Sequence, residues 1–194
     1  MEWSIQVKLK YEGDDVKEGS MEIRDMMNAL DGFYGAYTKI EKQLDIDKAH
    51  KLRVSRIDHE SFDVIFDIVD LYTMATSGEI SGEAVFAVLS ILYKAIEYYK
   101  HSQGRRCEEK AQNDTVLLVN DDGEECPLDF EAFDIIKRSD IREDLAKIAK
   151  PLQKNRIDRA TIIYERDREI STSAIHVSEK LYFSKTIVRT VENQ

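Results

Sequence analysis

The sequence predicts an α+β fold, in which a mixed or antiparallel sheet built from hairpins packs against several helices, one of them central and apolar. Three patterns lead to this prediction. Every second residue from Trp3 to Tyr11 is apolar, and the same alternation runs from Phe62 to Ile68, as in half-buried strands. Between them, apolar residues from Ser20 to Leu44 recur at steps of three and four, the spacing of one helical face.

The first predicted helix contains two details that depend on its surroundings. Ser20 is placed to act as the N-cap, since a serine side chain accepts a hydrogen bond from the first turn of a helix. Gly32 and Gly35 each cost about 1 kcal/mol relative to alanine inside a helix. We therefore expect these glycines to permit the close approach of another element.

Two strands and a second helix complete the N-terminal part. The ranges Lys51 to Ile57 and Ser61 to Val69 predict a β-hairpin. A short helical pattern covers Leu71 to Ala75, and a helix of about twenty residues then runs from Ser81 to near His101. From Ala84 to Tyr93 this helix is apolar nearly all round, which predicts a buried, central position.

A charged segment follows the central helix. Residues 100–114 contain only two apolar side chains, Cys107 and Ala111. Such a composition buries too little surface to offset the entropy of ordering the chain. We therefore predict a linker or mobile loop at residues 102–114, between an N-terminal half (1–101) and a C-terminal half (115–194) that pack together as one unit.

The C-terminal half predicts a hairpin, two helices and further strands. The Asn120–Gly123 turn lies between apolar runs, which is a strong hairpin pattern, and Pro151 ends the second helix. The predicted strands are Val116 to Val119, a short strand reaching Pro127, Ala160 to Glu165, Ser173 to Phe183 and Thr186 to Val191. The predicted helices are Asp129 to Arg138 and Ser139 to Lys150.

Composition and charge narrow the class of protein. The 194 residues carry a net charge of −10, which disfavours a general nucleic-acid binder because the phosphate backbone requires an excess of Lys and Arg. Two cysteines in a chain of this length are typical of a reducing compartment. The chain opens on a strand pattern rather than a signal peptide, and its most apolar run is too short to span a bilayer. We therefore expect an acidic cytoplasmic protein with no membrane contact.

Two His-x-Ser tripeptides, at residues 59–61 and 176–178, offer a catalytic alternative. Paired motifs of this kind on strands are the signature of two-histidine phosphodiesterases, in which the imidazoles act as general base and general acid and the hydroxyls hold a phosphate. However, the first histidine lies between two acidic residues in a predicted turn. We favour histidines without a catalytic role, and keep His59, Ser61, His176 and Ser178 as the alternative catalytic set.

A cluster of aromatic and basic residues near the end of the central helix is the best local candidate for binding an anion. Its members are Tyr98, Tyr99, Lys100, Arg105 and Arg106. Arginine and lysine beside aromatic rings suit an anionic partner. Cations are also favoured at a helix C-terminus by the helix dipole, so the cluster is equally consistent with a solvated helix end.

No motif predicts a metal or a cofactor. The segment Asn120–Glu125 is rich in carboxylates, but it is shorter than the dozen or so residues of a calcium loop, and a hairpin turn explains it. A phosphate-binding loop, a dinucleotide fingerprint and a Cys/His set with metal spacing are all absent from the sequence. We expect no metal site and no cofactor.

The segment His59–Val69, together with Ile148–Leu152 and the following Ile157 and Asp158, resembles an uncharacterised group of bacterial and phage-associated proteins. In that group a strand that opens with Gly-Ser-Phe-Glu follows the first helix, and a later helix ends in a Pro-Leu pair. Here the strand opens with Glu60-Ser-Phe-Asp63. The resemblance implies an α+β domain without assigned chemistry, in a mobile-element or antiphage-defence setting.

Three hypotheses of function follow from these patterns. The first is a non-enzymatic interaction protein, either a homo-oligomer or a subunit of a complex with a protein partner. The second is a two-histidine phosphodiesterase or nucleotide-binding protein. The third is an acidic decoy that occupies a nucleic-acid-binding surface, for which the net charge of −10 is a necessary condition.

Overall fold

The computed structural model describes residues 5–46, 50–58, 62–70, 82–138, 141–166 and 169–184. Within those ranges the chain forms two antiparallel sheets and five α-helices. The strands are β1 (Ile5–Glu12), β2 (His50–Asp58), β3 (Phe62–Asp70), β4 (Glu108–Gln112), β5 (Thr115–Val119), β6 (Glu125–Asp129), β7 (Arg159–Arg166) and β8 (Glu169–His176). The helices are α1 (Ile23–Gln43), α2 (Gly82–His101), α3 (Phe130–Arg138), α4 (Ile141–Ala149) and α5 (Lys180–Phe183).

The larger sheet has the strand order β2-β3-β1-β7-β8, so it draws strands from both ends of the sequence. The alternation predicted for the first strand places Val7, Leu9 and Tyr11 on one face, where all three are fully buried. Leu9 lies between Val64 of β3 and Ile162 of β7 in the register of the sheet. The predicted α+β class and the β2–β3 hairpin are thus confirmed.

Helices α1, α2 and α4 pack on this apolar face. Phe33 of α1 stacks on Phe66 of β3 with ring centroids 4.6 Å apart, and Tyr11 donates a hydrogen bond to the carbonyl oxygen of Ile148 on α4. Leu89 of α2 lines a small cavity together with Ile162 of β7. None of the helices in the described ranges is long and apolar enough to cross a membrane.

The two glycines of α1 mark the crossing with α4. A Cβ atom at Gly32 would lie 2.5 Å from the carbonyl oxygen of Asp144, and one at Gly35 would lie 2.6 Å from the Asp144 carboxylate. Lys39 holds that buried carboxylate in an ion pair of 2.7 Å. The predicted close approach is confirmed, and the partner is a helix more than a hundred residues away.

The smaller sheet, in the order β4-β5-β6, is attached to the C-terminal end of α2. The His101 ring lies 3.1 Å from the carbonyl oxygen of Leu118, and the Asn120 side chain donates to the carbonyl oxygen of His101. Leu118 and Val116 alternate toward the core from β5. Apolar side chains from both sheets therefore join one buried cluster.

Several predictions need correction. Residues 102–114, expected to form a linker or loop, include β4, which is a strand because it pairs with β5 although its five side chains are exposed. The strand expected over Ser173 to Phe183 ends at His176, and the chain turns helical so that Phe183 enters the core. Glu22 rather than Ser20 occupies the N-cap position of α1, without a side-chain cap. The predicted helical segment Leu71 to Ala75 and strand Thr186 to Val191 lie outside the described residues.

The central helix is largely, but not wholly, buried. Val85, Val88, Leu89 and Leu92 are each at most 1% exposed, as the apolar run predicted. Tyr93, the last residue of that run, is 39% exposed and corrects its boundary. The apolar run is thus buried on the faces that meet the other elements.

Candidate functional site

The described residues contain one of the two predicted histidine motifs, residues 176–178 at the end of β8. His176 ends β8 with an exposed side chain, and its backbone N–H donates to Glu179; Ser178 is exposed too. His59 and Ser61 lie outside the described residues, whose nearest members are on β2 and β3. β1 and β7 separate β3 from β8, which corresponds to three strand spacings, or about 14 Å. The acid–base pair stays a prediction.

The aromatic members of the predicted anion cluster face the core. Tyr99 is 7% exposed and its ring contacts that of Phe183. The guanidinium carbon of Arg142 lies over the Tyr99 ring, 5.4 Å from the ring centroid. Burial, reinforced by Tyr98, raises the pKa of Tyr99 to about 12 although Arg142 opposes the shift. The partly buried Tyr98 meets Tyr99 edge-on. These rings are packing groups in the described structure.

Two of the three basic members of that cluster have partners within the protein. Lys100 hydrogen-bonds Glu97 and the carbonyl oxygen of Ala174, whereas Arg105 pairs with Asp121 at 2.9 Å. Arg106 is exposed. Carboxylates that already neutralise two of the three cations weaken the case for an external anion, and the anion site stays a prediction.

The carboxylate-rich turn after β5 has the geometry of a hairpin turn. The Asn120 side-chain oxygen accepts hydrogen bonds from the backbone N–H groups of Asp122 and Glu124. Asp121 and Asp122 reach across to Arg105 and Gln103. Among the described residues, no three His, Cys, Asp or Glu side chains are grouped so as to hold a metal ion.

Arg142 is a structural residue that the sequence patterns missed. Its Nη2 lies 2.9 Å from the backbone carbonyl oxygens of Gly104, Tyr182 and Ser184. These carbonyls belong to the segment after α2 and to the end of α5, so a single guanidinium joins three parts of the chain. The sequence gives no indication of this role, because a single arginine in an amphipathic helix is usually a solvent-exposed residue.

A second missed group is a buried polar cluster at the end of α1. Glu41 lies 2.6 Å from Nδ1 of His50 and accepts the backbone N–H of the same residue, while the Tyr37 hydroxyl lies 3.0 Å from Nδ1. Burial, reinforced by Glu41, raises the pKa of Tyr37, so its hydroxyl stays protonated. The cluster ties β2 to α1 and satisfies polar groups that burial would otherwise penalise.

An open groove with a volume of about 630 Å³ lies between the β4–β5 strands and α3. Ala111 and Val116 come from the small sheet, and Phe130 and Phe133 from the first two turns of α3. Phe130 is 44% exposed, whereas Phe133 is 9% exposed. The groove thus has an apolar wall that the described residues leave partly open to solvent.

The rim of the groove is acidic. Glu109 of β4 and Glu131 and Asp134 of α3 complete its lining. Lys137 pairs with Glu109 at 2.8 Å and lies 4.8 Å from the centroid of the Phe133 ring, so one cation already occupies this rim. The resident lysine shows which chemistry the rim favours: a cation with an apolar stem.

The groove lies over one face of β4 and β5, and β4 is an edge strand. β4 pairs with β5 alone in the described structure, so its other edge presents unpaired backbone N–H and C=O groups. Lys94 of α2 and the carboxylate of Asp129 fix the adjoining end of β6, and the same carboxylate accepts the N–H of Ala132 to cap α3. The wall formed by α3 is therefore held in place beside the edge.

One sequence pattern marked this groove in retrospect. The start of α3 combines two aromatic with two acidic residues: Phe130, Glu131, Phe133 and Asp134. A helix turn that only covered a core would not need an aromatic residue next to each acid. The contribution of β4 had no such mark, because its sequence Glu-Glu-Lys-Ala-Gln was interpreted as a linker.

Comparison with known proteins identifies no relative of this chain. No protein-family model, curated protein or solved structure matches it.

Proposed function

We propose that this protein is a non-enzymatic interaction protein that binds a basic, partly apolar strand of a protein partner in the groove between β4 and α3. The observation that carries the proposal is the combination of an open strand edge, an exposed aromatic wall and an acidic rim at one place. The resemblance to phage-associated proteins supports a mobile-element or antiphage-defence setting for this interaction.

Each part of the groove contributes a different element of recognition. The edge of β4 supplies backbone hydrogen bonds to an added strand, as in other cases of β-augmentation. Phe130 offers an exposed ring to apolar side chains, and Glu131 attracts cations, whereas Glu109 already pairs with Lys137. Because the acids stand at a solvated rim, salt weakens their contribution. Backbone pairing gives affinity, and the side chains on the face of the added strand that meets the groove give specificity.

The test uses a fluorescent seven-residue peptide that alternates lysine and valine, with a glutamate–valine peptide as the matched control. Fluorescence anisotropy with the full chain should show saturable binding of the lysine peptide only, weakened by added salt. Glu131→Lys should reduce the affinity at least tenfold, since reversing a rim charge replaces attraction by repulsion. Phe130→Ala should weaken it through lost apolar contact.

Two control variants separate the groove from general charge and surface effects. Glu18→Lys makes the same charge change at an exposed position outside the groove, and Leu181→Ala truncates an apolar side chain that is 72% exposed. Both should bind the lysine peptide as the unmodified protein does. Equal binding of the two peptides, or equal loss of affinity in Glu18→Lys and Glu131→Lys, would refute the proposed groove.

A further inference from the structure

We infer that the strand received by this groove is β2 of a second copy of the same chain, so that the protein assembles head to tail. The inference rests on the proposed function of the groove and names its occupant. The described sheets have four edge strands, β2, β4, β6 and β8, and β2 is the one with the most cations. The inference is carried by the charge match between β2 and the groove beside β4.

β2 has the composition that the groove requires. Its cations Lys51, Arg53 and Arg56 are exposed, although the chain as a whole carries a net charge of −10. Val54 and Ile57 are 48% and 38% exposed on the same strand. A basic and apolar edge strand is thus displayed at one end of the larger sheet.

The acid that complements β2 in charge lies on α3, beside β4. Glu108 and Glu109 of β4 already pair with Lys110 and Lys137, whereas Glu131 lies across the groove on α3. Within the described residues Glu131 has no hydrogen bond or ion pair. Pairing β2 of one copy with β4 of another brings Lys51 and Arg53, which share one face of β2, to Glu131 with their aliphatic stems on the aromatic wall, while both edges gain hydrogen-bond partners.

A symmetric alternative is disfavoured by charge. Two copies of β2 paired with each other would place the cations Lys51, Arg53 and Arg56 of both strands side by side, and like charges on adjacent strands are destabilising. A β2-to-β4 contact joins two different surfaces, so a pair of copies keeps one unused β2 and one unused groove. The assembly therefore grows as an open chain or closes as a ring.

The test blocks each surface in turn in the full chain. Variant one carries Lys51→Glu and Arg53→Glu, and variant two carries Phe130→Ala and Glu131→Gln. Light scattering coupled to size-exclusion chromatography should show assemblies larger than the 22.5 kDa monomer for the unmodified protein, and monomers for each variant alone. Lys154→Glu, an exposed charge reversal outside both surfaces, should assemble as the unmodified protein does.

Mixing the two variants gives the decisive result. Variant one keeps an intact groove and variant two an intact β2, so an equimolar mixture should form a discrete heterodimer that cannot extend. A mixture that stays monomeric, unmodified protein that is monomeric at all concentrations, or variants that still assemble alone would overturn the inference. If the lysine–valine peptide still binds in that case, the groove function survives; if it does not, both proposals fail.

Discussion

The two sheets of this protein differ in how their edges and faces are used. In the larger sheet, α1 and α4 approach so closely that only glycine fits at positions 32 and 35, and the buried Asp144 is held by Lys39. In the smaller sheet, β4 has five exposed residues and α3 leaves an open groove beside it. Close helix packing leaves no room for a ligand, whereas the looser contact of α3 with a sheet edge leaves a surface that a partner can use.

This difference teaches where stability and recognition lie in the molecule. Side chains that meet backbone at contact distance tolerate little change, since protein interiors are packed like crystals. A short edge strand with charged residues tolerates substitution and keeps free hydrogen-bonding groups. We therefore expect stability to depend on the larger sheet and its helices, and partner binding on the smaller sheet.

The largest expected effect is the loss of folding in both sheets, caused by one substitution in α2. Leu89 of α2 is 1% exposed and belongs to the cluster shared by the two sheets, so Leu89→Asp buries an unpaired charge. That costs several kcal/mol against a total stability of about 5–15 kcal/mol, and soluble folded protein should be lost. Leu181→Asp, at a site 72% exposed, should fold normally by circular dichroism. Folded Leu89→Asp with an unchanged Tm would contradict the shared core.

A smaller effect breaks the larger region alone. Gly32→Ala forces a Cβ atom against backbone of α4, and overpacking of this kind costs about 1–3 kcal/mol despite the better helix propensity of alanine. Gly82→Ala is the matched control, because the nearest atoms to its Cβ would be side-chain carbons at 3.6 Å. Urea unfolding should show a lower midpoint for Gly32→Ala only. Equal midpoints for the two variants would refute the close crossing of α1 and α4.

The contact between the segment after α2 and α5 gives a comparable or smaller loss. Arg142→Lys keeps the charge but replaces a planar guanidinium by a point charge, so the hydrogen bonds to three carbonyl groups are lost in part. We expect a loss of about 1–2 kcal/mol in the free energy of unfolding. Arg106→Lys, at an exposed position, should leave that free energy unchanged. An equal effect of both substitutions would argue against a stabilising role for the hydrogen bonds of Arg142.

The smallest expected effect is a pH-dependent change in the free energy of unfolding, caused by a substitution at the end of β6 in the smaller sheet. Partial burial acts to raise the pKa of Asp129, but hydrogen bonds from Lys94 and from the Ala132 N–H outweigh it, and the pKa lies below its usual value. A lowered folded-state pKa stabilises above the unfolded value of about 3.9 and is lost as pH falls through the folded value. Asp129→Asn should therefore lower stability at pH 7 and lose its effect in strong acid.

The control for this titration is Asp14→Asn, because Asp14 is largely exposed in the loop after β1. Urea unfolding of both variants across pH 2 to 7 should show a pH-dependent deficit for Asp129→Asn only. A deficit that is constant with pH would assign the role of Asp129 to shape rather than charge.

Most of the secondary structure followed from the sequence because it is set by local patterns. Alternation from residue 3 to 11 identified β1, and three- and four-residue spacing identified α1, since each pattern reports which side of one element is buried. The Asn120–Gly123 turn was equally local. β4 escaped, since an exposed edge strand is stabilised by its neighbour and not by its own side chains, and α5 escaped because its residues were predicted as the end of a strand.

The candidate functional sites, in contrast, could not be predicted from local sequence patterns. Arg105 and Asp121 were each noticed as separate features, and the tertiary structure joins them into one ion pair. The groove depends on α3 and β4, two segments whose sequences do not report each other's position.

The sequence by itself thus determined the α+β class, the acidic charge and the need for close packing at Gly32 and Gly35. Only the tertiary structure decided that Asp144 fills that space, that β4 is a strand and that its edge lies open beside Phe130. The physical reason is the distance along the sequence over which each effect acts. Burial patterns and backbone preferences act within one helix or strand, whereas a groove forms only where two elements that are distant in the sequence leave a space between them.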